Sequence, residues 1–283
     1  MRRNRVGRLR VGAVVAVCIS LAALSACGSE SSPLSTIEKS TPTAPVTDSA
    51  SSGLDETVRN EDLDVGELAR RAKQSAANIK TVHVVADIVS DGKAIKLDLK
   101  VDRGSEDFQG TIEQNDVRLE VRRIGDAMYV RGDEQAYRSL VGTVDGELAA
   151  KLLAGKWLKG DANSEKLRGV RNITTVADPG AALKDFPEDG VKLPIETINN
   201  RRMIPLTGPP GRDDGKVYIE AQGGKPYPVL IVSKGGKGNK SSGSISYGDF
   251  DVPVKVTAPP AAEVIEIPDR GTTSSTPRPG STA

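Results

Sequence analysis

Residues 82–101, with the sequence VHVVADIVSDGKAIKLDLKV, decide the fold of this chain. The first half is a β-branched run that ends at Asp91-Gly92, a dipeptide typical of tight hairpin turns. In the second half every other residue is apolar and most of the residues between them are charged, which gives a strand one apolar and one polar face. The apolar residues are Ile95, Leu97, Leu99 and Val101. We therefore predict an antiparallel hairpin with one face on a core.

The same alternation continues along the chain. In residues 117–122 Leu119 and Val121 fall on the apolar side, and Gly125-Asp126 separates this strand from the next one, which holds Met128 and Val130. Consecutive strands joined by short turns favour an antiparallel meander over a parallel sheet. Four further strands are predicted at residues 217–221, 229–233, 244–247 and 252–257. Residues 186–215 contain five prolines and show no readable periodicity.

Two helices are predicted to cover the sheet. Residues 63–81 place Leu68, Ala72, Ala76 and Ile79 on one face at helical spacing, and such a helix needs an apolar surface to pack on. In residues 145–153 Leu148 and Leu152 share a face. The predicted fold class is therefore α+β, with a long, curved antiparallel sheet that has helices against one face.

The N-terminus is predicted to direct export and lipidation. Residues 1–10 hold five arginines, and the apolar run of residues 11–24 is shorter than the roughly 20 residues that cross a bilayer as a helix. The run ends in Leu24-Ser25-Ala26-Cys27, which resembles the bacterial lipobox, whose cysteine is diacylated and becomes the first residue of the exported protein. Two acyl chains anchor a protein durably to a membrane. We predict a lipidation site at Cys27 and a location on the outer face of the cytoplasmic membrane, in the cell envelope.

The composition along the chain divides it into four parts. Residues 1–26 are the predicted signal peptide, and residues 27–60 are the lipidated cysteine and a disordered tether rich in Ser, Thr and Pro. Residues 61–268 form one predicted domain, and residues 269–283 a disordered tail. Only 3% of the residues are aromatic, so the core of the domain should be aliphatic.

The composition also disfavours several classes of function. With 39 basic and 38 acidic residues the chain has no large positive charge that would attract nucleic acid, so we predict no nucleic-acid partner. One histidine and two cysteines disfavour a zinc cluster, a disulfide scaffold and a histidine-centred hydrolase. The glycine-rich residues 235–243 lack phosphate-loop spacing and are predicted to form a hairpin turn. We predict no cofactor, no metal site and no catalytic residue.

The apolar face of the predicted sheet is the candidate binding surface. Its candidate residues are Ile95, Leu97, Leu99, Leu119, Val121, Met128 and Val130. Burial against a helix and burial against an acyl chain are equally favourable per unit area, so the pattern leaves open a lipid cavity and a filled core. Trp157, flanked by Lys156 and Lys159, is a candidate for the mouth of such a cavity or for a side chain that covers the end of the core.

Three phrases resemble a known family. They are GKWLK at residues 155–159, GKVYI and GKPYPV at 215–219 and 224–229, and SYGDFDVPVKVTAPP at 246–260. In this order they are similar to actinobacterial envelope lipoproteins of the LppX, LprA, LprF and LprG type. The resemblance implies a half-open β-barrel related to the LolA and LolB carriers, in which helices partly plug an aliphatic cavity. It also implies binding of acylated lipids or glycolipids and their movement across the envelope.

Together these observations predict a membrane-anchored, non-enzymatic lipoprotein that binds acylated lipid or glycolipid in an apolar cavity and carries or presents it. The alternative is an envelope interaction or sensor module on the same scaffold, with a filled core, no lipid ligand and a protein partner.

Overall fold

The structure, a computed structural model, describes residues 58–90, 92–141, 146–164, 167, 170, 172–184, 186–187, 189–210, 215–222, 224–236 and 239–266. The predicted signal peptide, Cys27, nearly all of the predicted tether and the predicted tail lie outside these residues.

Thirteen strands form one sheet. The strands are β1 (Thr81–Ser90), β2 (Lys93–Asp102), β3 (Phe108–Gln114), β4 (Val117–Ile124), β5 (Ala127–Gly132), β6 (Trp157–Asp161), β7 (Val191–Lys192), β8 (Glu196–Ile198), β9 (Arg201–Thr207), β10 (Lys216–Glu220), β11 (Pro228–Gly236), β12 (Asn239–Gly248) and β13 (Val264–Glu266). Their order is β13-β6-β5-β4-β3-β2-β1-β12-β11-β10-β9-β7, and β8 pairs with β9. The two ends of this order do not pair with each other, so the sheet is unclosed, as a half-barrel requires.

Antiparallel pairing dominates the sheet. Every described strand pair is antiparallel except β6 with β13, which is parallel and three residues long. The opening hairpin has the predicted register, since Val84 pairs with Leu99 and Ala86 with Leu97. The predicted α+β class with a large antiparallel sheet is therefore confirmed.

Within the described residues three α-helices accompany the sheet: α1 (Val65–Ala77), α2 (Glu134–Val141) and α3 (Gly146–Leu153). The first confirms the predicted amphipathic helix but is shorter than the predicted range 63–81, so that Ile79 lies beyond its end. It is capped by Asp64, whose side chain accepts a hydrogen bond from the backbone N–H of Glu67 at 2.9 Å. Helix α2 was not predicted. No helix within the described ranges is long and apolar enough to cross a membrane.

One predicted strand is wrong. Residues 252–257 pair with no described strand, and the last described strand is β13. Residues 249–263, here called the strap, instead connect β12 to β13 across the face of the sheet that lies opposite the core. This face is called the outer face below. The alternation of valines in the strap predicts a strand, but Val252 is 53% exposed and these residues join no neighbouring strand.

Strand β3 was missed because a glycine occupies one of its core positions. Gly110 pairs with Leu99 on one side and with Val121 on the other. A Cβ at Gly110 would lie 1.9 Å from the carbonyl oxygen of Asp98, and the backbone has φ of +154° there. Only glycine fits so close an approach, and its missing side chain interrupts the alternating pattern.

Candidate functional site

The apolar face of the sheet is continuous across nine strands. One row of paired residues runs along β9, β10, β11, β12, β1, β2, β3 and β4 to β5, and its members are Leu206, Val217, Ile231, Ile245, Ala86, Leu97, Ile112, Leu119 and Gly132. Apart from Gly132, which has no side chain, the members of this row belong to one buried cluster, and Val130 represents β5 in that cluster. The sheet therefore presents a wide aliphatic surface on one side.

All seven candidate residues lie on this surface. Val121 pairs with Val130, and Leu97 reaches Leu119 through Ile112. Their exposed fractions range from 0% to 8%, and all seven belong to the same cluster. The structure brings them together in the sheet and packs the helices over them.

Helix α1 covers the sheet mainly with small residues. Its buried residues are Leu68, Ala69, Ala72, Ser75 and Ala76. Three of the five are alanines, so the middle of the helix contributes little apolar area per residue to the core. Ser75 is 2% exposed, and its hydroxyl finds no hydrogen-bond partner among the described residues. The contact between α1 and the sheet is thus apolar but sparse.

Polar contacts hold both ends of the α1 segment. Before the helix, the side-chain amide of Asn60 donates to the carbonyl of Glu220 at 2.9 Å, and the ammonium of Lys192 donates to the carbonyl of Leu63 at 2.6 Å. After it, Nη1 of Arg103 donates to the carbonyls of Ala76 at 2.7 Å and Ile79 at 3.0 Å. The helix is therefore fixed at its ends more than along its length.

A second cover is the segment of short 3-10 turns at residues 172–177 and 181–183. It buries Val176, Ala177, Ala182 and Leu183 in the same cluster. The hydroxyl of Tyr247 on β12 donates to the carbonyl of Val176 at 3.0 Å. Burial raises the pKa of Tyr247 far above its usual value, so this donor keeps its proton.

Trp157 lies on the outer face. Its neighbour Leu158 pairs with the core residue Val130, so Trp157 points to the opposite side of the sheet. The guanidinium carbons of Arg122 and Arg131 both lie 4.7 Å from the centre of its ring, at cation–π distance. The indole is 1% exposed. The structure does not bring Trp157 to the aliphatic face on which the other candidates lie.

The strap crosses the outer face beside this tryptophan. Nη1 of Arg122 donates to the carbonyl of Thr257 at 2.8 Å, Pro259 is buried, and Nη1 of Arg131 lies 3.9 Å from Glu263. A groove of about 320 Å³ lies on the same face, lined by Trp157, by polar residues of β2, β3 and β4, and by Gly110 and Val121. Most of the lining side chains alternate with the core residues of their strands. The candidate Val121 also borders the groove, where its pairing partner Gly110 has no side chain.

The second predicted helix buries a different face from the expected one. In α3, Ala150 is buried against Tyr137 and Leu158, with Leu153 partly buried beside them. Leu148 and Leu152 are 68% and 70% exposed. The prediction that these leucines share a face is correct, but that face points away from the core.

Polar residues of the outer face contact one another around His83. Nε2 of His83 lies 2.8 Å from Asp98, and Nδ1 lies 3.4 Å from Asp249. Among the described residues, no group of three or more His, Cys, Asp or Glu side chains is arranged to hold a metal ion. The sheet and the helices that cover it thus define a class of protein, a half-barrel whose aliphatic face is covered by helices.

Comparisons with known proteins find this class among solved structures. LprF from Mycobacterium bovis matches over 68% of this chain and 95% of its own, with 14% identity and a TM-score of 0.47. The lipoprotein LppX from Mycobacterium tuberculosis matches over 69% of this chain and 100% of its own, with 16% identity and a TM-score of 0.42. A LolA superfamily protein from Nitrosomonas europaea matches over 68% and 96%, with 10% identity and a TM-score of 0.25.

LprF and LppX, two of the lipoproteins that the sequence resembles, are thus among the similar structures. The predicted resemblance is confirmed. Because the scores are low, the assignment of the fold depends on the sheet order and the register described above. No protein-family model matches the sequence, and no curated protein matches it.

Proposed function

We propose that this chain is a membrane-anchored envelope lipoprotein that binds an acylated lipid or glycolipid between its sheet and its helices. It carries or presents the lipid without making or breaking a covalent bond. The observation that carries the proposal is the continuous aliphatic face of an unclosed sheet under a helix whose contacting face is mainly alanine.

The energetics favour exchange between helix and lipid. Burying one methylene group is worth about 0.8 kcal/mol, so burying an acyl chain with about 14 methylenes is worth on the order of 10 kcal/mol. Moving α1 off the sheet exposes one leucine and a few alanines, and a fully buried leucine is worth about 1.5–3 kcal/mol. That gain counts in full only for a chain that comes from water. For a lipid taken from a bilayer, where its chains are already buried, the balance depends on the small cost of moving the middle of α1, whose place on the sheet the acyl chain takes.

In this proposal the seven candidates, Ile95, Leu97, Leu99, Leu119, Val121, Met128 and Val130, form the wall that contacts the acyl chain. Trp157 takes another role. With Arg122 and Arg131 it anchors the strap on the outer face and so keeps the curved sheet from spreading when the cover moves.

The anchor of the protein is the proposed diacylated Cys27. Thirty residues, numbers 28–57, separate it from the first described residue, Val58. A chain of that length spans at most about 100 Å, so the domain stays near the outer face of the cytoplasmic membrane while it exchanges lipid.

Native mass spectrometry of the protein purified from envelope-containing cells without denaturation tests lipid binding. We expect the chain to retain co-purified lipid. The substitution Val121→Phe adds volume to the aliphatic wall and should abolish retention. The matched control Thr111→Phe adds a ring on the outer face of β3 and should leave retention unchanged, with circular dichroism showing that both variants fold. A wild-type protein that carries no lipid would contradict the proposal.

A second candidate function is favoured by one observation. The seven wall residues are already packed with α1 in a single cluster, as they would be in a scaffold with a filled core. Such a scaffold would bind an envelope protein through its edges or loops. It predicts no retained lipid and a specific protein recovered by cross-linking in the envelope.

A further inference from the structure

Helix α3 carries the most exposed large apolar side chains among the described residues. Leu148 and Leu152 lie four residues apart, so they project from one face of the helix. They are 68% and 70% exposed, whereas no other large apolar side chain in the described ranges exceeds 53%. The opposite face packs through Ala150 in a small cluster with Tyr137 and Leu158. The exposed pair therefore projects from the side of α3 that faces away from this cluster.

The charges around this pair are compensated. The carboxylate of Glu147 lies 3.2 Å from Arg138 and 3.5 Å from Lys151. Lys151 lies beside the two leucines on the helix, and its aliphatic stem can lie along an apolar surface while its ammonium stays in water. We call Leu148, Lys151 and Leu152 the α3 patch. A surface of this kind suits the interface of a bilayer, where apolar side chains enter the acyl region and cations remain among the headgroups.

The chain that precedes the domain determines which surface is within reach. Residues 58–63 are held at the β7, β9 and β10 side of the sheet by Asn60 and Lys192. Helix α3 packs at the opposite side, near β5 and β6. Twelve strands spaced by about 4.8 Å span about 55 Å along the arc of the sheet. The roughly 100 Å reach of residues 28–57 exceeds this distance, so the patch can face the bilayer that holds the anchor.

We propose that the α3 patch docks on the membrane by inserting Leu148 and Leu152 into the acyl region of the bilayer. Docking brings the end of the half-barrel formed by β6 and β13, and the helical cover beside it, against the membrane from which lipid is taken. The inference rests on the membrane anchoring and lipid carriage proposed above. Since Lys151 of the patch is paired with the neighbouring carboxylate of Glu147, docking depends on apolar insertion and not on anionic headgroups.

A fluorescent label on the patch tests the insertion. The full lipidated chain, with the thiol of Cys27 blocked by its lipid, is reconstituted in phosphatidylcholine vesicles with Leu152→Cys carrying an environment-sensitive fluorophore. We expect a blue-shifted emission that changes little between about 0.05 and about 0.5 M salt. The matched control is Val252→Cys, an exposed apolar position on the strap, which should keep its emission in water. Equal emission at both positions would overturn the proposal.

Two further measurements distinguish a membrane from a second copy of the chain as the partner of the α3 patch. They also distinguish membrane docking from lipid carriage. With the label moved to Lys156→Cys, the double variant Leu148→Ser with Leu152→Ser should lower the docked population about tenfold or more per leucine. A blue shift at position 152 that appears without vesicles and grows with protein concentration would overturn membrane docking in favour of a second copy of the chain. Lipid retained in native mass spectra together with a water-exposed label would disprove docking alone, whereas an inserted label without retained lipid would disprove carriage alone.

Discussion

Replacing Arg103 by glutamine tests whether α1 is a movable cover. Arg103 follows β2 and joins three parts of the molecule. Its Nη1 donates to the carbonyls of Ala76 and Ile79 at the end of α1, and its Nη2 lies 3.2 Å from Asp178 in the second cover. Arg103→Gln removes the cation from this junction and leaves most of the side-chain volume in place.

The expected loss of stability follows from these contacts. Hydrogen bonds from a charged donor contribute about 1.5–3 kcal/mol each, but the helix-end carbonyls can bind water once the guanidinium has gone. The ion pair with Asp178 is half-exposed and adds about 0–1 kcal/mol. We therefore expect a decrease of about 2–3 kcal/mol in the free energy of unfolding, measured by urea denaturation. Arg118→Gln is the matched control, because Arg118 is exposed and bonds to no described side chain.

The same substitution should accelerate lipid exchange. If about 2 kcal/mol of the barrier to lifting α1 comes from Arg103, the rate of transfer of a fluorescent acyl lipid into the protein should rise about 30-fold. Stability equal to that of Arg118→Gln would refute the assigned contacts. A loss of stability without faster transfer would refute the role of α1 as the cover.

Three further outcomes are expected. Gly110→Ala should lower the urea unfolding free energy by at least about 3 kcal/mol, because its Cβ would strike the backbone of β2, whereas Gly248→Ala, which meets open space, should change it by less than about 0.5 kcal/mol. Hydrogen bonds from two arginines, of which that from Arg70 has the larger effect, lower the pKa of Glu67 to about 2. The stabilisation from Glu67 is therefore present above about pH 4.5 and lost towards pH 2. Thermal unfolding of Glu67→Gln should show a flatter pH dependence in that window, and an unchanged slope would contradict the pairing. Tyr247→Phe leaves the carbonyl of Val176 without its donor and should cost about 1–3 kcal/mol in calorimetry, and an unchanged Tm would show that water replaces the hydroxyl.

The strands that could be predicted share one physical property. In β1, β2 and β4 one face is buried and the other is wet, and this one-sided burial leaves a period of two in the sequence. Strands β7, β8 and β9 escaped prediction because two of them are only two and three residues long and the third contains Pro205. The short strands β7 and β8 form because both pair with the longer β9, which is itself paired with β10.

The sequence predicts which residues form the candidate site, but it does not predict how the helix covers them. Alternation placed the seven wall residues on one face of the sheet, and helical spacing supplied a partner for that face. Neither pattern indicates how closely the helix packs on the sheet. The alanine-rich face of α1 and the arginine that holds its end became visible only in the packed molecule.

Periodicity in this chain determined which side chains avoid water, since that choice depends only on neighbours in sequence and on the geometry of an extended or helical backbone. It thereby determined the sheet, its aliphatic face and the need for a cover. Tertiary structure alone decided that Trp157 lies under the strap on the outer face, that residues 252–257 cross the strands instead of joining them, and that Leu148 and Leu152 face outward. The reason is that these outcomes depend on contacts between residues far apart in the chain, and an apolar residue has the same local pattern whichever distant surface it meets.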